Sequence, residues 1–131
     1  MEHHKAIASP EGMKLLGQVR DICRRFPEVS ERVDAFGHTS FRVGDKPFVI
    51  MGESGGTASL SIKTHLHTQE LLLHQGGYTK TPYVGHHGWV TVQEGGPYHW
   101  PEIESLIEEG YLRTASKRLV KAYQSQEGMA P

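Results

Sequence analysis

The stretch Ala58-Ser59-Leu60-Ser61-Ile62-Lys63 (residues 58–63) alternates apolar and polar side chains. Leu60 and Ile62 fall on one face, and Ser59, Ser61 and Lys63 on the other, as in an antiparallel strand buried on one side only. A sheet with one dry face needs a covering layer, and the flanking sequence supplies it. Immediately upstream, Ser40–Val43 and Pro47–Met51 flank Gly44-Asp45-Lys46, a short glycine-containing loop that suits a hairpin, with Pro47 at an edge or a strand start. Before them, from Val29, Val33 and Ala35 alternate with Arg32 and Asp34 until Phe36-Gly37-His38 breaks the pattern. Ser54-Gly55-Gly56 supplies a further turn.

The period becomes helical at both ends of the chain. Ser9-Pro10-Glu11 places a hydroxyl at the cap, proline in the first turn and an acid near the positive end of the dipole. Met13, Leu16, Val19, Ile22, Cys23 and Phe26 then form one apolar stripe, with Lys14, Arg20, Arg24 and Arg25 mostly off it, and Pro27 ends the helix. Downstream of residue 63, Thr68-Gln69-Glu70 opens a short helix carrying Leu71, Leu72 and Leu73, which Gly76-Gly77 stops. A loop through Tyr78, Pro82, Tyr83 and Gly85 leads to His86-His87-Gly88 and a strand from Trp89 to Gln93, closed by Gly95-Gly96-Pro97. Pro101 starts a helix whose stripe is Ile103, Leu106 and Ile107, and Gly110 is expected to close it. A last helix runs from Tyr111 to about Tyr123, with Leu112, Ala115, Leu119 and Ala122 on one side and Arg113, Lys117, Arg118 and Lys121 on the other.

Strands gathered between a leading helix and trailing helices predict an α+β domain, an antiparallel sheet with N-terminal and C-terminal helices packed on one face as a two-layer sandwich. At 131 residues, one domain over residues 1–123 with a frayed tail at 124–131 is the expectation. There is no internal repeat. The longest apolar runs, such as Phe48–Met51, fall far short of the ~20 residues of a membrane helix. The start, Glu2-His3-His4-Lys5, does not resemble a secretory signal, so a cytoplasmic protein is expected. Cys23 is the only cysteine, which rules out an internal disulfide, and its place on the helix stripe makes it a buried structural thiol. A net charge of −1 argues against strong nonspecific binding to phosphate backbones, so nucleic-acid binding requires a local patch.

Several segments, in this order, resemble the YjbR/MmcQ family over about Val19–Tyr123. They are Phe26-Pro27-Glu28, Phe36-Gly37-His38, Phe41-Arg42-Val43 with Lys46-Pro47-Phe48, Ser61-Ile62-Lys63, Tyr83-Val84-Gly85, Gly88-Trp89-Val90, and Leu106-Ile107 with Gly110-Tyr111. Phe36 departs from the family, where tryptophan is more usual before the glycine. The resemblance implies a fold similar to that of the bacterial frataxin CyaY, and a DNA-associated role in which projecting hairpins act as paired wings. It implies no catalytic residues, and function does not follow from fold alone.

The residues themselves offer several candidate sites. Arg113, Lys117, Arg118 and Lys121, with no acid between Tyr111 and Tyr123, form a helix face that could lie against phosphates. They equally suit a solvated face offsetting the acidic helix before it. Arg42, Lys46, Lys63 and Lys80 could reach nucleic acid from strands and hairpins, or guard edges against aggregation. Trp89, with Tyr83 and Tyr98, is a stacking platform for unpaired bases or ordinary packing. His65, His67, His86 and His87 invite a metal, but no HExxH or cysteine pair supports one, and turn histidines are the simpler reading. No GxSxG, phosphate loop or GxGxxG occurs, and Glu102, Glu104, Glu108 and Glu109 read as a helix surface, so neither an enzyme nor a cofactor is expected. The sequence therefore points to a DNA-binding or transcription-associated accessory protein using Arg42, Lys46, Lys63, Trp89, Arg113, Lys117, Arg118 and Lys121. The alternative is an interaction module for a protein or small molecule without nucleic acid.

Overall fold

Ser9 and Pro10 begin the first helix in a computed structural model that describes residues 6–129. Helix α1 spans Pro10–Cys23, and the Ser9 hydroxyl accepts from the Gly12 N–H at 3.0 Å. That hydroxyl also donates to Glu53 at 2.7 Å, tying the helix start to the sheet. Six strands follow: β1 (Ser30–Val33), β2 (Thr39–Val43), β3 (Lys46–Ser54), β4 (Thr57–Lys63), β5 (Tyr78–Lys80) and β6 (Trp89–Val92). They form one antiparallel sheet in the order β1-β2-β3-β4-β6-β5. Helix α2 (Leu66–Gln75) links β4 to β5, and α3 (Trp100–Thr114) and α4 (Lys117–Met129) close the chain. The architecture is α+β, with the antiparallel sheet covered by helices as the alternation of residues 58–63 predicts.

The core lies between the sheet and helices α1 and α3. Phe41, Val43, Val49, Met51, Leu60, Ile62, Val90 and Val92 face Leu16, Val19, Ile22, Ile103, Ile107 and Tyr111, all buried. A bulge adds one more side chain to this layer. The register passes from Phe41↔Val49 to Arg42↔Pro47, leaving Phe48 as the extra residue on β3. Phe48 and Val49 are consequently both buried, although neighbours on a regular strand point to opposite faces. Phe48 meets Phe26 and Tyr111 edge-on at 6.5 and 5.7 Å, and Tyr123 of α4 packs against Phe26 at 5.1 Å. This aromatic cluster joins the end of α1, β3, α3 and α4.

Several local expectations shift once packing is visible. Gly110 does not close its helix; it lies inside α3, where a Cβ would approach the Lys63 carbonyl oxygen to 2.8 Å, so glycine lets the helix rest directly on the sheet. The break comes instead at Ala115, whose backbone is extended, and the Ser116 hydroxyl accepts from Leu119 N–H to start α4. The single last helix expected from Tyr111 is therefore two elements. Tyr78–Lys80, expected in a loop, is an edge strand because Tyr78 pairs with Val92 and turns its ring inward. In α2, His65 is the cap rather than Thr68, its Nδ1 accepting from His67 N–H at 3.0 Å, and only Leu72 of the three leucines is buried. On α1, Leu15 is buried and Met13 is exposed. Strand β1 ends at Val33, before Ala35, because Asp34 accepts from the N–H groups of Phe36 and His38 and bends the chain. Of the tail expected at 124–131, residues 124–129 continue α4, and 130–131, like the histidine-rich start at residues 1–5, lie outside the described residues. Among the described residues, no helix is long and apolar enough to cross a membrane.

Candidate nucleic-acid interface

The register that sends Leu60 and Ile62 inward sends their neighbours to the opposite face of the sheet. Across that face, Arg32, Ser40, Ile50, Ser61, Thr91 and Thr79 follow one another on successive strands through their paired positions. A second row beside it contains Ser30, Arg42, Pro47, Lys63 and Trp89. No residue of the two rows belongs to the core cluster beneath the helices. The helices that touch the sheet are held to its other side: α1 through Arg20–Glu31 and Ser9–Glu53, α3 through Gly110 against Phe48, and α2 through Leu72 in the core.

The face without helices is polar and one-signed. Its hydroxyls are knitted together, Ser61 to Thr91 at 2.8 Å and Thr81 to Thr91 at 2.9 Å. Arg42 Nε donates to Ser40 Oγ at 2.8 Å and one terminal nitrogen donates to the Asp45 carbonyl at 3.2 Å, so the guanidinium is held by neutral oxygens. Among the described residues, neither Arg42 nor Lys63 has a carboxylate within ion-pair distance. The six strands contain only two acids, Glu31 and Glu53, and both turn toward α1. Arg20 holds the Glu31 carboxyl below the usual carboxylate range, and the Ser9 hydroxyl and N–H do the same for Glu53. Asp45, in the turn after β2, pairs with Arg32 at 3.1 Å, so of the three strand cations on this face Arg32 is the one with a carboxylate partner among the described residues. Cations not neutralised by carboxylates are available to an anionic ligand.

The structure divides the residues proposed from sequence between two layers. Arg42 and Lys63 lie on the open face, and Trp89 is Lys63's partner across β4 and β6. Lys46, the first residue of β3, pairs with the buried Val43 and so falls in a row of the helical side. Trp89 is only 5 % exposed, which leaves little ring surface for a base to stack on. Arg113 sits in the last turn of α3, and Lys117, Arg118 and Lys121 on α4, on the helical side. There the charge is mixed: Arg118 pairs with Glu28 at 3.1 Å, Arg25 with Glu104 at 3.2 Å, and α3 brings four glutamates. These four cations and the strand cations therefore do not form one surface. Arg32 joins the open face although its sequence gave no separate sign of it; the signal was its alternation with Val33. Tyr83, in contrast to Trp89, is 96 % exposed, and Tyr98 is half-buried against Trp100.

Metal and nucleophile chemistry find little support in the geometry. Among the described residues, no three His, Cys, Asp or Glu side chains come together as a metal would require. The His86 and His87 rings lie 3.9 Å apart, and His65 Nδ1 is occupied by the α2 cap. Cys23 is fully buried, and burial pushes its thiol well above the ordinary value, which suits packing and not nucleophilic attack.

Comparison with protein-family models gives a match to the one described as YjbR over residues 24–113. The matched stretch contains all six strands and α3 up to Arg113, and with them Arg32, Arg42, Lys46, Lys63 and Trp89; it stops before α4. No curated protein matches the chain.

Proposed function

We propose that this chain, which belongs to the YjbR family, is a DNA-binding accessory protein that contacts the phosphate backbone through the open face of its sheet. The single observation carrying this reading is the charge asymmetry of that face: Arg32, Arg42 and Lys63 project from it, while both strand acids turn to the helical side. Guanidinium and ammonium donors position a protein on phosphates without reading sequence by themselves. The Ser40 and Ser61 hydroxyls of this face are buried and hold its internal network. Lys46 is not part of this surface, because its register partner Val43 faces the core. The cations of α4 are secondary in this reading, being set among glutamates.

The role is one of binding and not catalysis. Glu31, Glu53 and Tyr78, whose proton affinities are displaced, have structural partners: Glu31 holds Arg20, Glu53 holds the start of α1, and Tyr78 donates to Glu102, while Cys23 and Tyr98 are raised chiefly by burial. A cytoplasmic location goes with this reading, and a single buried thiol is compatible with it. The test is fluorescence anisotropy of labelled single- and double-stranded DNA at low and near-physiological salt. The expected result is binding that weakens steeply with salt, and absence of binding to both DNAs at low salt would overturn the reading. In that event a second reading, a protein-interaction module, gains from the exposed rings of Phe36 and Tyr83 on two loops at opposite edges of the sheet. Single exposed apolar residues are common, so the charge asymmetry favours DNA.

A further inference from the structure

At the other end of β6 from Lys63, a cavity of about 90 Å³ opens between the end of α2 and the start of α3. Gln75, Gly77, Tyr78, Gln93, His99 and Glu102 contribute to its lining. Glu102 is held there by two donors: the Tyr78 hydroxyl reaches Oε2 at 2.7 Å, and Gln75 Nε2 reaches Oε1 at 3.3 Å. No lysine or arginine lines the cavity, and among the described residues Glu102 is in no ion pair.

The Glu102 carboxylate has acceptor capacity beyond its two internal donors. A carboxylate offers about four lone-pair sites, two on each oxygen, and each Glu102 oxygen here accepts one bond. The two internal donors restrain the carboxylate while one site on each oxygen remains. A guanidinium group presents two parallel N–H donors at the spacing of two carboxylate oxygens, whereas an ammonium offers a point charge without that match. A water needs roughly 10–15 Å³ of such space, so the cavity has room for several waters or for a planar four-atom head. Burial and Glu102 together push the Tyr78 hydroxyl well above its ordinary value, keeping it a donor across the physiological range.

We propose that this cavity binds a guanidinium group, carried by an arginine side chain of a peptide or by a small guanidino compound. Nothing in it depends on the DNA-binding face, which lies elsewhere on the molecule. The test uses the full chain, ¹⁵N-labelled, titrated with methylguanidinium, methylammonium and acetate while the amides of Gly76, Gly77 and Ile103 are followed. Saturable shifts with methylguanidinium, several-fold weaker binding of methylammonium and none of acetate are expected. Glu102→Gln should weaken methylguanidinium binding roughly tenfold, because the charge is lost while an acceptor for Tyr78 remains. A blocked arginine tripeptide that binds more tightly than methylguanidinium assigns the source to a protein side chain, and equal binding assigns it to a small molecule. The proposal is overturned if methylguanidinium gives no saturable shift, if acetate binds as well, or if Glu102→Gln binds unchanged. Should Glu102→Gln fail to fold, the ligand series on the unmodified protein, together with Tyr78→Phe and its expected several-fold loss, decides the matter.

Discussion

One sheet carries two faces made by the same alternation of residues, and they differ in what they are built to meet. Toward α1 and α3 it presents Phe41, Val43, Val49, Met51, Leu60, Ile62, Val90 and Val92, none more than 5 % exposed. Away from them it presents serines, threonines, Ile50 and the cations Arg32, Arg42 and Lys63. The dry face is where free energy of folding is concentrated, because stability follows apolar area removed from water. The polar face contributes little to stability and holds Arg42 and Lys63 without carboxylate partners among the described residues, with Arg32 paired to Asp45 at its edge, which is the arrangement a ligand can use. Substitutions on the two faces should separate cleanly, the first changing stability and the second changing binding.

The largest effect is expected at Phe48, which the β3 bulge turns into the aromatic cluster. Phe48→Ala should cost about 3–5 kcal/mol in urea unfolding, since it empties a fully buried site among Phe26 and Tyr111. Next comes Gly110→Ala. A Cβ there would press on the Lys63 and Phe48 carbonyl oxygens, and a backbone shift costing about 1–3 kcal/mol is expected. A measured stabilisation, as for an exposed helical glycine, would break this account of how α3 meets the sheet.

Smaller effects sharpen the comparison at the edge of the sheet. Because Arg20 depresses the Glu31 carboxyl, the pair's contribution is present above the unfolded value of about 4.3 and is lost as pH falls through the folded value. The pair is about 30 % exposed, so Arg20→Gln should cost only ~0.2–1 kcal/mol at pH 7, and the difference from the unmodified protein should shrink by pH 3. Smallest of all in stability, Arg42→Ala and Lys63→Ala should each stay within about 0.5 kcal/mol of the unmodified protein, with the loss appearing in DNA binding.

Much of this division was legible in the sequence, for identifiable reasons. The strict alternation of residues 58–63 fixed both faces of β4, and Ser9-Pro10 fixed the start of α1 through cap chemistry that is local to the chain. What escaped was non-local. Gly110 looks like a helix stop until Lys63 and Phe48 are seen beneath it, and Tyr78–Lys80 is too short to read as a strand without β6 as its partner. The candidate site followed the same pattern. Lys63 could be assigned to a polar face from alternation, whereas alternation of Arg32 with Val33 gave a face but not which side of the sheet it was, and the β1–β2 register was needed to set Arg32 and Arg42 beside it. The cations of Arg113, Lys117, Arg118 and Lys121 formed the more conspicuous run in sequence, yet Glu28 and the glutamates of α3, distant in the chain, dilute them in space. Trp89 looked like a possible stacking residue because sequence cannot report that its ring is buried.

Where phosphates bind is decided by the salt dependence of DNA affinity in two triple variants beside the unmodified protein. One carries Arg32→Ala, Arg42→Ala and Lys63→Ala on the open face, and the other carries Arg113→Ala, Lys117→Ala and Lys121→Ala on the helical side. The account predicts that the open-face variant binds more weakly and loses about one unit of the slope of log K against log salt per cation removed. It predicts that the helical variant keeps affinity and slope close to those of the unmodified protein. A full slope in the open-face variant, with the loss found in the helical one, would contradict it and move the binding surface to α3 and α4.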